Sequence, residues 1–252
     1  MCFELDSLPP IAPISGAAVA HDDVVLTSAD GTRFAAFSAT PEEPSHVGVV
    51  VLPDVRGLYR FYEELALRLA ERGFGAIAID YFGRTAGVAK RDEEFPYMEH
   101  VQQTAPESIQ ADIGAAVAWL RSPEGGSRTS IFTVGFCFGG RHSWIAAASD
   151  HGLAGAVGFY GMPGQRNGQP GAIQLRESIK APILALQAGA DDHITADDNA
   201  ALERALTSVG VAHEVVTYEG APHSFFDRRW AQHQAASDDA WARVVAFIER
   251  YS

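Results

Sequence analysis

The chain has 252 residues, 47% hydrophobic and 20% charged, which is enough apolar material for one large core and too little charge for a disordered chain. Nineteen Lys and Arg against 32 Asp and Glu leave a formal charge of −13. That charge repels phosphate backbones and anionic lipid, so neither nucleic acid nor a membrane surface is expected as a partner.

Residues 1–20 read as an N-terminal extension. Acids and prolines stand there where a secretory signal needs a basic region and an apolar run, and no apolar stretch reaches the roughly 20 residues of a membrane-spanning helix. A soluble, cytoplasmic protein is therefore expected. The next runs, HDDVVLT and TRFAAFS, flank a Ser-Ala-Asp-Gly turn and predict an antiparallel edge hairpin. After the Pro41 to Pro44 link come VGVVVL, GAIAID, SIFTVG, LAGAVGFY, PILALQ and HEVVTY, apolar runs continuous enough for parallel strands buried on both faces.

Helical periods alternate with these strands. Phe61, Leu65 and Leu69 mark one, and Ile109, Ile113, Val117 and Leu120 behind Pro106 mark another. Leu202, Leu206 and Val209 mark a third, and Trp241, Val244, Val245 and Ile248 mark the last, with Ser237 as its expected cap. The alternation predicts a single α/β domain over 1–252, with a mostly parallel central sheet, helices on both faces and the antiparallel hairpin at its N-terminal edge. Residues 83–104 and 161–180 interrupt the pattern and are long enough to be active-site loops.

Two cysteines, Cys2 and Cys137, make no disulfide framework and no paired metal-ligand spacing. Cys137 stands in SIFTVGFCFGGRHSWIAAA, where a strand runs into G-x-C-x-G-G and then a helix, the context of a nucleophile elbow. Gly135 and Gly139 remove side chains that would collide between strand and helix. The helix N-terminus favours a thiolate, and the N–H of Phe138 is placed to bind an oxyanion. A thiol nucleophile needs a base and an orienting acid. AGADDHIT after PILALQ and EGAPHSFFD after HEVVTY supply them at strand ends on the ligand-binding edge, in the order nucleophile, acid, histidine found in the α/β-hydrolase fold. Taken separately, Asp191 and Asp192 also suit a helix cap before Ala196.

These motifs resemble the dienelactone hydrolase, or carboxymethylenebutenolidase, family. The likeness covers nearly all the chain from about residue 22 and rests on GFCFGG at 135–140, FYG at 159–161, GADDHI at 189–194 and PHSF at 222–225. The resemblance implies a Cys137, Asp192, His223 triad, with Asp192 three residues after the turn glycine, Gly189. It places Asp54, in LPDVRG, where the family has a glutamate against the resting thiol. Arg84, in IDYFGR, falls where the family has an arginine on the substrate carboxylate. The family's second arginine falls on Asp227, a departure from the pattern, with Arg228 and Arg229 beside it.

The implied reaction is hydrolysis of a small ester or lactone through a Cys137 thioester, with the oxyanion held by the N–H groups of Phe138 and Val55, and without a metal or organic cofactor. The assembly expected is a monomer or small homo-oligomer. A general carboxylesterase or thioesterase on the same fold, and a non-catalytic binding protein on a decayed hydrolase scaffold, are the alternatives. Glutamine amide transfer fits poorly, because no His-x-Glu occurs in the chain.

Overall fold

A computed structural model describes residues 7–15, 17, 19–227 and 229–252. Cys2 and Arg228 lie outside the described residues. The chain runs through β1 (Val19–Thr27), β2 (Arg33–Pro41), β3 (Val47–Leu52), α1 (Arg60–Glu71), β4 (Gly75–Ile79), α2 (Gly83–Ala86), α3 (Tyr97–Val101) and α4 (Pro106–Arg121). It continues through β5 (Ser130–Phe136), α5 (Phe138–Ala147), β6 (Gly155–Phe159), β7 (Ile183–Ala188), α6 (Ala196–Ser208), β8 (His213–Tyr218) and α7 (Gln234–Tyr251).

The strands form one sheet in the order β1-β2-β4-β3-β5-β6-β7-β8. β1 and β2 pair antiparallel, and β2 joins β4 antiparallel. From β4 to β8 every neighbour is parallel. This is the α/β-hydrolase arrangement, and the hairpin sits at the expected edge.

The two-residue period of each strand sorts its side chains onto opposite faces. Val49 and Val51 join Leu65 and Leu69 of α1 and Val244 and Ile248 of α7 in one core. Val50 and Leu52 face Ile113 and Val117 of α4 in a second. Leu202 and Leu206 of α6 pack with Trp144 of α5 and Ile183 in a third, on the α4 side of the sheet. Each fully buried aliphatic side chain contributes about 1.5–3 kcal/mol.

Two expectations differ from the structure. β8 is an edge strand whose residues are partly exposed, since only β7 flanks it. Ser237 does not cap the last helix. α7 starts at Gln234, and the Ser237 hydroxyl, buried inside the helix, donates to the Phe225 carbonyl at 3.1 Å. That bond fastens the helix to the loop after β8.

Candidate active site

The turn after β5 is built by close backbone approach. Cys137 has φ 53° and ψ −107°, a left-handed conformation that L-residues rarely adopt and that persists only where neighbours enforce it. Gly139 is the enforcing neighbour, because a Cβ there would lie 2.2 Å from the Leu52 carbonyl and 2.4 Å from that of Pro53. A Cβ on Gly135 would meet the Gly139 carbonyl at 2.1 Å. Both glycines are therefore required by the packing of α5 onto the ends of β5 and β3. The Cys137 N–H donates to the Phe159 carbonyl at 2.9 Å, which ties the turn to β6 and leaves the half-buried thiol at the C-terminal edge of the sheet.

Phe138 occupies the first position of α5, where a backbone N–H has no intrahelical acceptor. Val55 lies in the loop after β3, the strand that Gly139 abuts. Within that loop Asp54 is completely buried. Its Oδ1 accepts from the Arg56 N–H, and its own N–H donates to the Tyr62 hydroxyl, each at 2.9 Å. Tyr81 donates to the Pro53 carbonyl at 2.9 Å. Burial, then the charges of Asp54, Asp80 and Cys137, push the Tyr81 phenol well above its ordinary range, so Tyr81 stays protonated as a donor to that carbonyl.

His223 and an acid arrive from the next two strands. The Gly189 N–H donates to the Tyr218 carbonyl and the Ala190 N–H to the Ala221 carbonyl, both at 2.9 Å, which zips the loops after β7 and β8 together. The residue that reaches the imidazole is Asp191, with Oδ2 2.6 Å from His223 Nδ1. Asp192, the position implied by the family register, is exposed. The expectation for Asp192 is therefore corrected to Asp191. The physical reason is the tight turn in which Asp191 Oδ1 accepts from the N–H groups of His193 at 2.8 Å and Ile194 at 3.2 Å, folding Asp191 inward and its neighbour outward. Neither aspartate caps α6. Thr195 does, in a capping box with Asp198.

The Asp191 side chain has no exposure and that of His223 only 26%. Burial opposes ionisation of Asp191, but the His223 hydrogen bond and those from His193 and Ile194 outweigh it, and its pKa is lowered. For His223 burial again works against the charge. It is outweighed by the hydrogen bonds to Asp191 and Cys137 and by their negative charge, and the imidazole pKa is raised to about 10. The imidazole thus bridges the thiol and a buried carboxylate, and the arrangement favours an imidazolium beside a thiolate.

Arg84 is engaged by side chains of the fold. Its Nε bonds Asp30 at 2.8 Å, its Nη1 bonds the buried carboxylate of Asp112 at 2.7 Å, and its Nη2 donates to Ser28 Oγ at 3.2 Å. It closes the β1–β2 turn onto α4, and these bonds engage three of its nitrogens where the resemblance implies a substrate carboxylate. Asp227 is 1% exposed and accepts from the Tyr160 hydroxyl at 2.8 Å. Arg229 is exposed.

Several supporting residues were not singled out in the sequence. Asp80 Oδ1 accepts from the Leu58 N–H at 3.1 Å and Oδ2 from the Phe82 N–H at 2.8 Å, and Arg91 bonds both oxygens. Through this buried pair the 83–104 segment is fastened to the loop that holds Val55. Arg141, one turn beyond the thiol, donates to the carbonyls of Met162, Gly164, Gln169 and Pro170, holding the 161–180 segment. Burial strips its solvation, the carbonyls it bonds among the described residues supply no counter-charge, the nearby Arg166 repels it, and its pKa falls to about 10.

Residues 34–252 match the dienelactone hydrolase family. The carboxymethylenebutenolidase of Rhodococcus opacus is 27% identical over 274 residues, covering 100% of this chain and 97% of that one. An Escherichia coli K12 protein assigned the same activity is 27% identical over 257 residues, covering 96% and 94%. Among solved structures, a Klebsiella pneumoniae protein assigned as a dienelactone hydrolase superposes with a TM-score of 0.81 at 25% identity, covering 93% of this chain and 100% of that one. A Pyrococcus furiosus esterase superposes at 0.67 with 15% identity, covering 92% and 93%, and is similar in fold alone.

Proposed function

The chain belongs to the dienelactone hydrolase family, and from that premise we propose that it hydrolyses a small ester or lactone through a thioester on Cys137, with His223 as base and Asp191 as its orienting acid. The observation that carries this reading is the imidazole of His223, hydrogen-bonded to Cys137 and held at 2.6 Å by the buried Asp191 carboxylate.

In the first step Sγ attacks the carbonyl carbon and the thiol proton rests on His223. The oxyanion is held by the N–H groups of Phe138 and Val55. Collapse breaks the C–O bond, and the leaving alkoxide takes the proton from the imidazolium. A lactone opened this way stays tethered as a thioester. In the second step His223 removes a proton from water, the hydroxide attacks the thioester, and the thiolate leaves with the carboxylic acid released.

The engagement of Arg84 by Asp30 and Asp112, together with a carboxylate at Asp227, favours a neutral ester over an anionic dienelactone as substrate. The test is a comparison of kcat/KM for p-nitrophenyl acetate and trans-dienelactone in the wild type, Cys137→Ala and His223→Ala. Both variants are expected to lose on the order of 10³-fold or more, and the wild type to prefer the neutral ester. Retained turnover in a folded Cys137→Ala protein overturns the nucleophile. A preference for the dienelactone overturns the neutral-substrate reading.

A further inference from the structure

Tyr160 follows the last residue of β6 and joins the two halves of the site. The carbonyl before it, on Phe159, accepts the Cys137 N–H at 2.9 Å, and its own N–H donates to the Leu186 carbonyl of β7 at 2.8 Å. With both sides of its peptide fixed, Tyr160 takes φ 37°, a left-handed conformation that costs on the order of 1–3 kcal/mol for a residue other than glycine. Its ring lies 4.8 Å from the imidazole of His223 and edge-on to Phe225 at 5.6 Å.

The hydroxyl donates to Asp227 Oδ2 at 2.8 Å, and both residues are 1% exposed. Asp227 ends the same tight loop that begins at His223. Ser224 has φ 64°, and the Asp227 N–H donates to the Ser224 carbonyl at 3.3 Å. Tyr160 therefore grips the loop twice, with its ring on the imidazole and with its hydroxyl on the carboxylate four residues later. A phenyl ring would fill the same volume. The hydroxyl is retained in a buried place where it must find an acceptor, and the acceptor is a carboxylate, which makes the bond charge-assisted and geometrically firm.

Resting on the thioester reading above, we propose that Tyr160 and Asp227 are positioning residues: their hydrogen bond clasps the 223–227 loop so that the His223 imidazole stays aligned between Cys137 and Asp191. Among the described residues, the groups facing the imidazole are Asp191 from the β7 turn, Cys137 from the elbow and Tyr160 from the end of β6, with Asp227 behind Tyr160.

The experiment measures kcat and KM for p-nitrophenyl acetate, and the pH dependence of iodoacetamide alkylation followed at Cys137 by peptide mass. The proteins are wild type, Tyr160→Phe, Asp227→Ala, their double variant, Asp227→Asn and Cys137→Ala. Tyr160→Phe is expected to lower kcat by about tenfold or more with KM within about threefold. Its acidic limb of alkylation is expected to rise by about one pH unit, because a displaced imidazole no longer stabilises the thiolate. Asp227→Ala should match it, and the double variant should be no worse than either, as for two ends of one bond. Asp227→Asn, whose amide oxygen still accepts from the hydroxyl, should recover most of the loss. An unmoved alkylation limb in both Tyr160→Phe and Asp227→Ala overturns the clasp, as does a double variant that is the product of the singles. Wild-type turnover in Cys137→Ala instead overturns the thioester reading. The alkylation profile, which needs no turnover, keeps the two failures apart.

Discussion

Replacing Asp191 by asparagine separates the geometry found here from the register that the sequence implied. The carboxylate accepts a hydrogen bond from His223 Nδ1 at 2.6 Å with no side-chain exposure, so the Nδ1 proton stays on that side of the ring and the other ring nitrogen faces the thiol. In Asp191→Asn the carbonyl oxygen is held by the N–H groups of His193 and Ile194, which turns the amide N–H₂ toward His223. Nδ1 must then accept, its proton moves to Nε2, and the ring can no longer take a proton from Cys137. The same wrong-tautomer effect in a serine triad costs on the order of 10⁴-fold in kcat. A thiol is more acidic than a hydroxyl and depends less on its base, so a loss on the order of 10²- to 10⁴-fold is expected. Asp192→Asn, at an exposed position, should stay within about twofold, as surface substitutions usually do. Steady-state kcat/KM for p-nitrophenyl acetate, with unfolding curves as a control, decides the matter. If Asp192→Asn proves the more damaging variant, the tautomer argument and the placement of the turn both fail.

Three further outcomes follow from the packing and the charges. Arg84→Ala should lower stability by roughly 3–5 kcal/mol by stranding the buried Asp112 carboxylate, while changing KM for anionic and neutral esters equally; a rise confined to anionic substrates, seen in steady-state kinetics, would restore a binding role. Gly139→Ala forces a Cβ to 2.2 Å from the Leu52 carbonyl, so urea unfolding should show a loss of at least about 2 kcal/mol, and wild-type stability would contradict the close approach. With the His223 pKa raised to about 10 against about 6.5 unfolded, its contribution to stability is fully present below pH about 6.5 and disappears as pH rises through 10. The difference in unfolding free energy between wild type and His223→Asn should therefore shrink by an amount on the order of 1–3 kcal/mol from pH 6 to pH 10; a difference that grows with pH would reverse the sign of the coupling.

Much of this architecture was legible because it is written in local patterns. Continuous apolar runs at VGVVVL and PILALQ mark strands covered on both faces, and the G-x-C-x-G-G turn marks the elbow because only glycine tolerates the 2.2 Å approach at Gly139. HEVVTY, grouped with these runs on Val215 and Val216, forms an edge, since strand order is not a property of the strand itself. The choice between Asp191 and Asp192 turned on a single N–H···O bond pattern within a turn, which spacing does not encode. Arg84 fell at a matching position but is captured by Asp30 and Asp112, residues 54 and 28 positions away. The Asp80–Arg91 pair, the Arg141 carbonyl cradle and the Tyr160–Asp227 bond depend likewise on burial, and a charged or hydroxyl side chain reads in sequence as exposed until the tertiary structure buries it.

The Cys137 thioester is read most directly by a rapid acid quench of the wild type with p-nitrophenyl acetate followed by peptide mass analysis. One acetyl group is expected on the peptide containing Cys137, appearing with the burst of p-nitrophenol and absent from Cys137→Ala. Acetylation at a different side chain that tracks turnover, or full turnover with no adduct on Cys137 at any quench time, would contradict it.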